Sequence, residues 1–184
     1  MSEFFYFLVT GSKSWTLNFH ENFFNVHGGF FWGVIGALII GVICALVFYF
    51  GCCNSKKSAA MANIGVWAGF LVVCALIGYI YADMIVIGKS GNVDQSSIFY
   101  RYSFYKANNE YYIDQTNQPN VPQTTIKELQ ATKNQIESEL DKGGDVRFSF
   151  DLTTAILALI FYFITSLIVK RFTINGKTIP CKNP

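Results

Sequence analysis

The sequence predicts an all-α membrane protein with three transmembrane helices, N-terminus outside and C-terminus inside, carrying a small extracytoplasmic α+β domain of β-β-α-β order between spans 2 and 3. Three observations lead there. The chain holds three long apolar stretches, the segment between the second and third is polar with strand and helix signatures, and basic residues gather on two segments that three crossings bring to one side. With 52% hydrophobic and 14% charged residues, the chain is too apolar for an ordinary soluble domain, where charged residues make up ~25%. The organisation that follows is an aromatic-rich N-terminal segment (1–27), span 1 (28–50), a cytoplasmic loop (51–60), span 2 (61–88), the extracytoplasmic domain (89–151), span 3 (152–169) and a basic cytoplasmic tail (170–184).

The N-terminal segment has an apolar run too short for a span. It carries Glu3 where a secretory signal would carry positive charge, so it does not read as a signal peptide. Phe4, Phe5, Tyr6, Phe7, Trp15, Phe19, Phe23 and Phe24 instead suit a segment lying in the membrane interface, where aromatic rings are favoured. His20 and His27 flank it without a cysteine or carboxylate at ligand spacing, so both read as surface residues and no metal is expected.

Span 1, Gly28 to Phe50, is uncharged and long enough as a helix to cross ~30 Å of hydrocarbon. Its small residues recur every four positions, at Gly29, Gly33, Ala37, Gly41 and Ala45. Residues four apart share a helix face, and missing side chains let a second backbone approach closely in lipid. The plainer reading is that membrane helices are simply richer in glycine. Span 2 repeats the theme at Gly65, Gly69 and Gly78, and the short connection makes the two spans an antiparallel hairpin. Asp83 is its one ionisable residue. An intramembrane carboxylate is by default a candidate ion or proton site, whereas a helix ending near Ala82 would leave it among the headgroups. Span 3 lacks glycine and is rich in Leu, Ile and Phe, which suits a lipid-facing or peripheral helix.

Lys56 and Lys57 in the short loop, and Lys170, Arg171, Lys177 and Lys182 in the tail, fall on one side of three crossings, and the positive-inside rule makes that side the cytoplasm. The outer regions hold no cysteine, so no disulfide braces the outer domain. Cys52 and Cys53 just inside the membrane read as small residues at a helix end, with palmitoylation as the sharper alternative.

In the outer domain, Ser97 to Tyr105 alternates as a strand, 107–109 suits a turn, and Tyr111-Tyr112-Ile113 would return as a second strand. Thr125 and Glu128 fit a capping box opening an amphipathic helix. Its apolar positions Ile126, Leu129, Ile136 and Leu140 make it the partner-docking helix, ended by Gly143-Gly144. Val146, Phe148 and Phe150 alternate with polar residues as a third strand leading into span 3.

No nucleophile–base arrangement, phosphate loop, zinc spacing or basic-aromatic patch is present, so neither an enzyme nor a nucleic-acid binder is expected, and no cofactor. The expectation is a non-enzymatic integral subunit of an envelope-spanning or secretion-type assembly, in a bacterial inner membrane. It would contact lipids and other membrane or envelope proteins in a homo- or hetero-oligomer, packing through its glycine helices and docking a partner through the outer domain. The rival expectation is an oligomeric ion or proton channel, or a small transporter subunit, using Asp83. A third is a protective membrane protein that binds a toxin.

Overall fold

In the computed structural model, residues 6–11, 20, 22–26, 28–54, 63–87, 111–118, 121–141 and 145–173 are described. Three helices are long and apolar enough to cross a membrane, Gly29–Cys52, Ile64–Ile87 and Asp145–Phe172, with 24, 24 and 28 residues. At ~1.5 Å per residue each exceeds the ~30 Å hydrocarbon core. This is the make-up of an integral multi-pass membrane protein.

The first of these is α1 (Gly29–Leu46), continued by a π-helical segment, Val47–Cys52. Gly28 precedes it at φ 76°, a left-handed conformation that glycine adopts without steric cost, and its carbonyl accepts the Trp32 N–H at 2.9 Å. Helix α2 (Ile64–Tyr81) runs into a second π-helical segment, Ala82–Ile87. Asn63 caps it, its side-chain oxygen accepting the Val66 N–H at 2.9 Å. Helix α3 (Gln123–Asp141) starts at Gln123, with Ile126 N–H donating to the Pro122 carbonyl, so Thr125 lies inside the first turn rather than capping it. Helix α4 (Asp145–Val169) ends in a short 3-10 turn, Lys170–Phe172.

The β-β-α-β domain is overturned: no strand occurs among the described residues. The intended third strand, Val146 to Phe150, is the first turn and a half of α4. Its alternation is real, but Val146, Phe150, Thr154, Ala158, Tyr162 and Ser166 also recur every four residues, and all six are buried. A segment covalently continuous with an apolar helix adds a hydrogen bond for each residue it extends, without having to recruit a neighbouring strand. The intended second strand at Tyr111–Ile113 belongs to a helical stretch, 111–116, in which the Thr116 hydroxyl donates to the Tyr112 carbonyl at 2.9 Å. The first strand (97–105) and the turn after it lie outside the described residues, as do Lys56, Lys57, Lys177 and Lys182. Helix α4 is also not peripheral, since one whole face of it is buried.

The chain packs as two units, residues 1–33 with 80–153, and residues 34–79 with 154–184. The first has an aromatic core. Tyr6 stacks on Phe30 and Phe150 at 4.8 and 5.0 Å between ring centres, and Phe24 lies 4.6 Å from Phe30 and 5.2 Å from Phe150. Tyr6, Phe23 and Phe24 are therefore buried rather than spread along the interface, and His20 is buried with them, 6.3 Å from the Phe24 ring. The second unit is built around Trp67, Tyr162 and Ala158. The Trp67 indole N–H donates to Ser166 Oγ at 3.3 Å and the Tyr162 hydroxyl donates to the Trp67 carbonyl at 3.3 Å, which satisfies both polar tips in an apolar setting.

Candidate functional site

The small residues of α1 recur every four positions and so share one face of the helix. Gly29, Gly33, Ala37, Gly41 and Ala45 are all buried. In the first unit, a Cβ on Gly29 would lie 2.9 Å from Phe23, and one on Gly33 would collide with the Tyr6 hydroxyl and sit 3.0 Å from Phe150. In the second unit, a Cβ on Gly41 would lie 2.8 Å from the Ala158 carbonyl oxygen and the Tyr162 nitrogen. Helix α2 meets the same residue: a Cβ on Gly78 would be 3.1 Å from the Ala158 Cβ, and the Cys74 thiol donates to the Ala158 carbonyl at 3.5 Å. The stripe on α1 thus serves close packing inside one chain.

Two glycines of α2 do not share in this. Gly65 and Gly69 are exposed, and a Cβ on Gly69 would meet nothing within 4 Å. Around them Ile64, Val72, Val73, Leu76 and Ile77 are exposed as well, so this face of α2 is apolar, small-residued and open among the described residues.

Asp83 lies in the π-helical segment Ala82–Ile87 and is partly buried. Its Oδ1 accepts a hydrogen bond from Nε of Arg147 and makes an ion pair with Nη2 of the same guanidinium, with the two side chains 21% and 16% exposed. A guanidinium N–H donating to a carboxylate is a charge-assisted hydrogen bond, the strong kind. One turn further along α4, Asp151 is 1% exposed. The Asp83 carboxyl lies beside that of Asp151. Sequence reasoning had Asp83 but neither partner. The signal was present: Arg147 and Asp151 are four apart, hence neighbours on a helix, once the segment is read as helix rather than strand.

Of the partner-docking positions, Ile126 and Leu129 are half-buried in α3; Ile136 and Leu140 belong to the same helix, and their side chains lie outside the described set. The Lys133 ammonium sits 5.1 Å from the centre of the Tyr112 ring, a cation–π contact tying α3 to the 111–116 helix. No group of three metal-ligating side chains occurs among the described residues. No family model, curated protein or solved structure matches this chain.

Proposed function

We propose that the chain is a non-enzymatic integral subunit of a larger membrane assembly, and that it meets a neighbouring subunit through the open face of α2. The observation that carries this is the contrast between glycines. Those of α1, and Gly78 of α2, lie against the chain's own helices, whereas Gly65 and Gly69 have no such neighbour. Small residues in a membrane helix favour close backbone approach, and an apolar face with its glycines still open suits a helix of another subunit. An envelope-spanning or secretion-type complex of a bacterial inner membrane is the setting this role fits, with lipids bounding the remaining apolar surface. The basic residues at 56–57 and 170–182 support an orientation with the N-terminus outside and the C-terminus in the cytoplasm.

A photo-crosslinking amino acid placed at position 69 tests the role in native membranes. The expected product is a discrete protein adduct that Gly69→Leu abolishes while the monomer stays as stable as before. Adducts to lipid alone, with a lone monomer in mild detergent, would refute it. Orientation is checked separately with Ser97→Cys and Ser55→Cys in intact cells. A membrane-impermeant thiol reagent should reach position 97 and spare position 55, and the reverse pattern would invert the topology.

A further inference from the structure

Asp151 presents a problem that the subunit role leaves unanswered. It is 1% exposed, and neither of its carboxyl oxygens meets a hydrogen-bond donor among the described residues. The nearby donor, Arg147, directs Nε and Nη2 to Oδ1 of Asp83. Among the described residues, the acidic group beside Asp151 is the Asp83 carboxyl. Ionised carboxylates only accept hydrogen bonds, so two of them in contact have nothing to bond with. The charges point the same way. Among the described residues, Asp83 from the second span and Arg147 from its own helix are the charged groups beside Asp151, and with Asp151 ionised the trio would carry one uncompensated negative charge, on a carboxyl removed from water.

We propose that the Asp151–Asp83 pair is a proton-binding site, in which a single proton, carried on Asp151, bridges the two carboxyls while Arg147 neutralises the other charge. One proton converts an acceptor–acceptor contact into an O–H···O hydrogen bond and brings the trio to zero net charge. A metal cation fits less well. Calcium-like ions take six to eight oxygens, more than two carboxyls offer, and Arg147 already supplies the fixed positive charge. The site shares no residue with the open α2 face, and neither proposal depends on the other.

The test is infrared spectroscopy of the intact protein in lipid at neutral pH, in light and heavy water. The wild type should show a carboxylic-acid C=O band that shifts to lower frequency in heavy water. Asp151→Asn should remove that band entirely, while Glu128→Gln, an exposed acid on α3, should leave it unchanged. A wild-type spectrum with carboxylate bands only would overturn the proposal without any variant, and so would a band that survives Asp151→Asn. The crosslink from position 69 reports on the subunit role alone, so failure of one proposal is distinguishable from failure of the other.

Discussion

Gly41 and Ala158 approach so closely that a single added methyl on the glycine would sit 2.8 Å from the alanine's carbonyl oxygen. Backbone atoms cannot swing aside as a side chain does. Gly41→Ala should therefore force the helices apart and destabilise the protein by ~1–3 kcal/mol, the usual cost of overpacking. Gly69→Ala, with open space around it, should stay within ~0.5 kcal/mol of wild type. Thermal unfolding in detergent compares the two, and equal effects would contradict the packing described.

The contact at Gly33 is of another kind, because the atom in the way is the tip of the Tyr6 side chain. Gly33→Ala should be destabilising, and Tyr6→Phe should recover part of the loss by removing the hydroxyl. A double-mutant cycle reads this directly. A coupling of ~0.5 kcal/mol or more in the rescuing direction is expected for residues in contact, and additive losses would show that Tyr6 does not pack there.

Among the charged groups, Arg147 should matter more than Asp83. Asp83→Asn leaves the guanidinium with Asp151 as a second carboxylate within the same turn. Arg147→Met leaves two neighbouring carboxyls with no cation beside them among the described residues. The expected loss for Arg147→Met is ~1–3 kcal/mol, below the figure for a fully buried pair because both side chains keep some exposure. Asp83→Asn, which removes one charge but keeps the cation, should cost less than Arg147→Met. Thermal unfolding of the two variants in detergent compares them, and an equal or larger loss for Asp83→Asn would contradict it.

Cys53 offers a chemical check at the end of the first span. Burial, with the neighbouring Cys52 adding to it, pushes its thiol up to about 11. At pH 7 only ~10⁻⁴ of it is thiolate, the reactive form. Cys52 is partly exposed, whereas Cys53 is fully covered. Brief alkylation followed by peptide mass mapping should therefore modify Cys52 first, with Cys53 gaining reactivity only as pH rises towards 11.

The three spans were legible because an uncharged stretch of membrane length has few other uses. The glycine spacing was legible too, but not what it packs against, since one helix pattern serves a chain's own helices and a neighbour's equally well. The segment between spans 2 and 3 misled for a definite reason. Val146, Phe148 and Phe150 satisfy a period of two, and only the run onward through Thr154 and Ala158 reveals the period of four that prevails. That misreading hid the charged site as well, for Arg147 and Asp151 share a face with each other only on a helix.

Gly41 and Gly78 both close on Ala158, and this sets a timetable for biogenesis. Ala158 is made about 80 residues after Gly78, so at ~5–20 residues per second the first two spans leave the ribosome ~4–16 s before the surface they pack on exists. For that interval the hairpin stands in the membrane with its small-residue faces uncovered. A chain truncated before Ala158 never covers them.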